Sequence, residues 1–171
     1  MDCGVLNHAA NSFSGYWAEG FSGISCVTGS NTGGYSVQDV RVRTGPNLGS
    51  PATIKVGVYG SSGTPPDNGP SGNPLCTATA VTATADAENI LSISGCPTLS
   101  AETRYYIVFI TGNATFQVGD EQTTACSMQD GETTGRYTQS SYTISDPFPS
   151  PFGTVVQDGC RENLWLRLVA L

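Results

Sequence analysis

Fourteen carboxylates, one histidine and six cysteines are the side chains of this sequence best suited to chemistry. A Ser-His-Asp triad would have to use His8, and no Gly-x-Ser-x-Gly turn exists to present a serine. Nucleophilic hydrolysis therefore lacks its parts. Glycoside cleavage needs only two carboxylates about 5–9 Å apart. Glu19, Glu88, Glu102, Glu121, Glu132 and Glu162 all fall in loop-like or strand-end contexts, none mid-strand beside aromatics where a cleft floor would hold it. The chain reads as a non-enzyme, with glycoside hydrolase the one catalytic class its carboxylates could serve. Gly29-Ser-Asn-Thr-Gly-Gly34 has the composition of a phosphate loop, but no helix follows it, so it reads as a hairpin turn. Asp120-Glu121 and Asp130-Gly-Glu132 lie within thirteen residues of one another. Their hard oxygens suit calcium, although the spacing is not that of an EF-hand, and Asp120 and Glu121 are the metal candidates.

Aromatic residues offer a second chemistry. Sugar rings stack their C–H faces on exposed Trp or Tyr while their hydroxyls pair with amides, carboxylates and guanidinium groups. Tyr16-Trp17 sits in a Gly/Ser-flanked stretch, and Tyr59 falls on the expected wet side of its strand beside Lys55. Tyr137 and Tyr142 flank the polar Thr138-Gln-Ser-Ser141. Tyr16, Trp17, Tyr59, Tyr137 and Tyr142 are thus the candidate contacts to a polysaccharide. Trp165 alternates with Leu164 and Leu166 beside Arg167, and for it and for Trp17, each taken alone, plugging the core or packing against a disulfide is the favoured reading.

The composition limits the partners. The 171 residues, 38% hydrophobic and 12% charged, carry a net charge of −7 and suit one domain spanning 1–171. With Lys55 the sole lysine, nucleic acid and anionic membranes are expected non-partners, and no apolar run approaches the ~20 residues of a helical span. Cys3, Cys26, Cys76, Cys96, Cys126 and Cys160 contain no C-x-x-C pair, and with one histidine a zinc site is poorly supported. An even count in such a chain points to disulfides and an oxidising, extracellular compartment; buried free thiols are the alternative. Of 15 possible pairings the sequential one is expected: Cys3–Cys26, Cys76–Cys96 and Cys126–Cys160. Met-Asp-Cys-Gly-Val-Leu lacks the basic and apolar regions of an export signal, so the expectation is a signal already removed and Met1 an added start residue. Asn113-Ala-Thr115 forms a glycosylation sequon in a turn.

The elements that must position these groups are strands. Twenty-one glycines, ten prolines and alternating apolar residues mark a turn-rich all-β chain. Strands are expected at 35–43, 53–59, 104–111, 115–118 and 163–170, with weaker ones at 15–18, 21–27, 77–83, 90–94 and 136–144. The stretch 104–111, apolar on both faces, reads as a central strand that turns at Gly112-Asn113 into a hairpin with 115–118. Helix is nearly absent. Strands with one wet face need a second sheet over the dry one, so a two-sheet antiparallel β-sandwich, jelly-roll-like and disulfide-stapled, is the expected architecture. Two breaker-rich stretches read as surface loops, a Gly/Pro-rich loop at 60–75 and Ser145-Asp-Pro-Phe-Pro-Ser-Pro-Phe152.

Residues 36–109 also carry a resemblance. Val40-Arg-Val-Arg, Ile54-Lys-Val-Gly-Val-Tyr-Gly, the Pro/Gly stretch, Leu75-Cys-Thr-Ala-Thr, Ile90-Leu-Ser-Ile and Leu99-Ser-Ala-Glu-Thr-Arg-Tyr-Tyr follow one another in an order that resembles β-sandwich domains of bacterial secreted and surface-anchored proteins. Glu102 stands where that family usually has glycine, and Tyr106 where it usually has tryptophan. The resemblance implies an extracellular sandwich and transfers no catalytic residue. Two functions are weighed on this basis. The first is a secreted, non-catalytic carbohydrate-binding module. The second is a structural or assembly subunit of a surface filament, adhesin or virion, self-associating through the apolar C-terminal strand or the prolines around Phe148 and Phe152.

Overall fold

The computed structural model describes residues 2–4, 15–18, 21–62, 69–113, 115–120, 143–149 and 164–171. Among them the chain is all-β, with eleven strands and no helix: β1 (Asp2–Gly4), β2 (Gly15–Ala18), β3 (Phe21–Val27), β4 (Tyr35–Arg43), β5 (Thr53–Ser62), β6 (Gly69–Thr77), β7 (Val81–Thr82), β8 (Glu88–Ser92), β9 (Arg104–Thr111), β10 (Gln117–Asp120) and β11 (Leu164–Ala170). All pairing between strands is antiparallel. One sheet has the order β1-β11-β4-β8; a five-stranded sheet has the order β3-β9-β5-β6 with β7 also on β5; β10 and β2 form a two-stranded ladder.

Alternation explains the division of faces. Val40 and Val42 turn inward from β4 while Arg41 and Arg43 do not, as period-two geometry requires. Leu91 on β8 and Leu166 and Leu168 on β11 join them, and Ile54, Val56, Val58, Ile107 and Phe109 of the five-stranded sheet complete one shared core. Each such aliphatic side chain contributes about 1.5–3 kcal/mol on burial. The sheet thus curls around one apolar interior.

The two disulfides close its flanks. Cys3–Cys26 ties β1, at one edge of the four-stranded sheet, to β3, at one edge of the five-stranded sheet. Cys76–Cys96 ties β6, the opposite edge, to the residues just beyond β8, where a Thr77–Ser94 bridge also joins them. Both pairs are the sequential ones expected. Cys126 and Cys160 lie outside the described residues.

Several expectations are corrected. The 60–75 stretch is not a free loop: β6 begins at Gly69 and pairs back on β5 through Ser62–Gly69, Ser61–Pro70 and Gly60–Ser71. Its prolines are tolerated because β6 is an edge strand, where a missing N–H breaks no second ladder. Strand 77–83 divides into the end of β6 and the two-residue β7. No hairpin joins β9 to β10, since β9 is already paired on both sides by β3 and β5. Gly112 directs the chain away; a Cβ there would stand 2.4 Å from the Pro51 carbonyl oxygen. The 136–144 strand falls almost wholly outside the described residues.

The two features held to favour assembly are in part used within the fold, Phe152 lying outside the described residues. β11 lies between β1 and β4 along Trp165–Arg167, where both of its edges are paired, and among the described residues Leu168–Ala170 pairs with β4 alone. Phe148 is 8% exposed and packs on the chain's own β5 and β9 in a second cluster with Tyr59, Tyr106, Val108 and Ile110. The five-stranded sheet is therefore covered on both faces where Phe148 lies on its two central strands.

Candidate functional site

The end of β4 is where distant segments meet. After Arg43, Thr44 forms a bridge to Val118, setting β10 against the four-stranded sheet. Main-chain hydrogen bonds then run sideways. The Asp86 N–H donates to Gly45 O at 2.9 Å, the Gly45 N–H donates to Gln117 O at 2.9 Å, and the Gln117 N–H donates to Asn47 O at 3.0 Å. Gln117 Oε1 accepts from the Asn47 N–H at 2.9 Å, which fixes both amide side chain and loop. β10 in turn pairs with β2 in the register Gln117–Ala18, Val118–Trp17, Gly119–Tyr16 and Asp120–Gly15. Three residues singled out from sequence, Tyr16, Trp17 and Asp120, thus share one two-stranded ladder although about a hundred positions separate them.

A polar turn braces this corner. Asn89 is buried, and its Nδ2 donates to Thr44 Oγ1 at 3.0 Å, Thr84 O at 3.0 Å and Ala87 O at 3.2 Å, while its Oδ1 accepts from the Thr84 N–H at 2.7 Å. The Thr44 hydroxyl donates to Thr84 O at 2.6 Å. A buried amide must be satisfied in this way, since leaving it bare costs about 1–3 kcal/mol. The turn carries Asp86, at φ 51°, outward to the Arg43 guanidinium at 3.0 Å. Along the same strand Arg41 donates to Asp39 at 2.9 Å and to Glu88, and Arg167 stands 4.0 Å from Asp39. The hydrogen bond to Asp39 raises the Arg41 pKa further above its ordinary value, with burial opposing and Glu88 adding to the rise. The sheet's outer face therefore presents guanidinium and carboxylate groups held in fixed pairs.

Asn89 and Thr44 were missed in the sequence reading. Asn89 is in phase with inward Leu91 on β8, and an amide at an inward position of an alternating strand is the signal that marks it.

Tyr59 is corrected. It is 0% exposed, and its hydroxyl donates to Pro149 O at 2.9 Å. Its face of the strand is the expected one, but residues 143–149 cover that face, so it offers no surface to a sugar. Trp165 is 3% exposed, buried as expected. Tyr137, Tyr142 and Glu121 lie outside the described residues. Among the described residues no group of three or more His, Cys, Asp or Glu side chains is gathered. The Asn113 sequon is structurally engaged: Nδ2 donates to Leu48 O and Pro51 O, both at 2.9 Å, and Oδ1 accepts from Thr115 N–H and Oγ1. A glycan on Nδ2 would leave one N–H for those two carbonyls.

No family model, no curated protein and no solved structure matches this chain.

Proposed function

We propose that this chain is a secreted, non-catalytic carbohydrate-binding module of β-sandwich type. The observation that carries the reading is the register that sets Tyr16 and Trp17 of β2 along Val118–Asp120 of β10, beside the Arg43–Asp86 pair and the Asn47–Gln117 corner. Stacking aromatics and pre-fixed hydrogen-bonding side chains are the two elements that sugar recognition requires. Holding the polar groups in pairs before a ligand arrives lowers the ordering cost of binding. The shared core of the two larger sheets supports the sandwich, and the two disulfides across its flanks support an oxidising compartment. Asp120 and Glu121 are the oxygen donors proposed for a calcium ion, by the hard-oxygen chemistry of their carboxylates. Neutral polysaccharide is the favoured ligand class for a chain of net charge −7.

The test is binding of the purified, oxidised protein to soluble and insoluble polysaccharides, with and without a calcium chelator. One glycan class binds saturably, and Trp17→Ala weakens it about tenfold, the equivalent of one lost stacking contact near 1.4 kcal/mol. The thermal midpoint of that variant stays near the parent's. Absence of binding to every glycan, or collapse of the variant's stability, refutes the assignment of Trp17 to a ligand.

A further inference from the structure

The two disulfides differ in how their sulfurs meet solvent. Cys3 and Cys26 are 2% and 3% exposed and belong to the shared core. Cys76 is buried too, but its partner Cys96 is only half-buried. The residues around Cys96, namely Ser94, Gly95, Pro97 and Thr98, are all exposed. Gly95 has φ 73°, and a Cβ built on it would meet nothing within 4 Å, so open space lies next to Cys96 in the chain. Thiol–disulfide exchange requires a thiolate to reach one sulfur, which makes exposed disulfides the labile ones.

The bond between Cys76 and Cys96 closes a seam between the two larger sheets. β6 is the edge of one sheet and β8 the edge of the other. Across the seam the described residues add one ladder contact, the Thr77–Ser94 bridge. Each side is anchored to its own sheet without the disulfide. Cys76 and Thr77 pair with Val58 and Gly57 of β5, and the Ala78 N–H donates to Val56 O at 2.8 Å. β8 is paired with β4 from Glu88 to Ser92. The chain crosses from one sheet to the other through residues 83–89, where the Ala83 N–H donates to Ala52 O at 2.8 Å and Asn89 Nδ2 to Thr44 Oγ1 at 3.0 Å. That crossing is pinned at both ends by contacts that do not involve sulfur. Ala78 and Ile93, close to the joined cysteines on either side, are buried in the shared core.

We infer that Cys76–Cys96 is a redox-operated latch. A small dithiol reduces it while Cys3–Cys26 stays closed, and the seam then opens at Ser94–Cys96 about the 83–89 crossing as its hinge. An external thiolate attacks Cys96 Sγ, the S–S bond breaks, and Cys76 leaves as a thiolate that takes a proton from water. The second thiolate of the reductant attacks the mixed disulfide and releases Cys96 in the same way. The reductant becomes a disulfide, and two electrons pass to the protein. Opening uncovers Ala78 and Ile93, while the opposite flank stays joined through β1 and β3. The latch is independent of the proposed glycan site.

The experiment treats the folded, oxidised full chain with graded dithiothreitol and traps new thiols with iodoacetamide. The remaining cysteines are then reduced in denaturant and labelled with N-ethylmaleimide, and peptide mass spectrometry reads each residue. Cys76 and Cys96 become alkylated together, at dithiol concentrations at least about tenfold below those that free Cys3 and Cys26. Release of Cys3 and Cys26 first, or of both pairs at one concentration, overturns the proposal. Hydrogen exchange on the partly reduced protein tests the opening. Protection falls at residues 76–78 and 93–96 and is kept at 83–89 and in β3. Unchanged exchange at 76–78 and 93–96 overturns the latch, and loss of protection throughout the chain overturns the hinge.

Discussion

Replacing Glu102 by glycine should make this protein more stable. Glu102 is exposed, has φ 47°, and leads into β9 through a turn whose other contacts are independent of its side chain. Its N–H donates to Gly29 O at 2.9 Å, the Thr28 hydroxyl donates to Ser100 O at 2.6 Å, and the Ser100 N–H donates to the Tyr105 hydroxyl at 2.8 Å. All of these persist when the side chain is removed. A left-handed conformation costs an L residue about 1–2 kcal/mol because its Cβ crowds the following carbonyl. Glycine escapes that cost but gives back roughly 0.5–1 kcal/mol through the greater freedom of the unfolded chain. The net gain is about 0.5–1 kcal/mol, or a rise of about 1–4 °C in the thermal midpoint for a chain of this size. Urea denaturation of oxidised protein, followed by tryptophan fluorescence, measures it, with Glu102→Ala as the control that keeps the Cβ. A glycine variant no more stable than the alanine variant refutes backbone strain as the reason.

Asn113→Ala should lose about 2–3 kcal/mol in the same assay, since it strips four hydrogen bonds from the turn that holds residues 48–51 against β9 and the approach to β10. Asp146 has its pKa held below the ordinary 3.8 by the Thr143 N–H, then by the Thr143 hydroxyl. Its contribution to stability is therefore complete above that ordinary value and is lost as pH falls through the lower folded-state value. Asp146→Asn should flatten that acid limb of a stability–pH curve; an unchanged limb assigns it to other carboxylates. Replacing Cys76 and Cys96 by serine together opens a loop of 20 residues and should cost about 3 kcal/mol in the chain-entropy model, read from the denaturation midpoint.

Strand positions were the most legible feature of the sequence. β4, β5, β9 and β11 lie where alternation or a doubly apolar run puts them, because side-chain period and burial are local properties. The two observed disulfides also follow the nearest-neighbour order. The sequence could not say that they lace opposite flanks of the fold. Edge status was equally invisible: the prolines at 70 and 74 forbid an interior strand, yet only the strand order shows that β6 has a free side on which they cost little. The expected hairpin after β9 failed for a related reason, both edges of β9 being taken by strands far away in sequence.

At the candidate site, sequence alone singled out Tyr16, Trp17 and Asp120 by residue type and local context, because stacking and oxygen donation are properties of a side chain. That they share a ladder, and that Arg43–Asp86 and Asn47–Gln117 stand beside it, was decided by the pairing of β10 with β2 and the bridge at Thr44, contacts that no local pattern encodes. Tyr59 shows the division most clearly. Alternation placed it correctly on the face opposite Val56 and Val58, and a strand read in isolation leaves that face to water. Tertiary structure laid Phe148 and Pro149 over it, since a ring next to Gly57 and a carbonyl within reach of a phenol gain more from each other than from solvent. Sequence determines which side of a strand a residue takes; only the rest of the folded chain determines what covers that side.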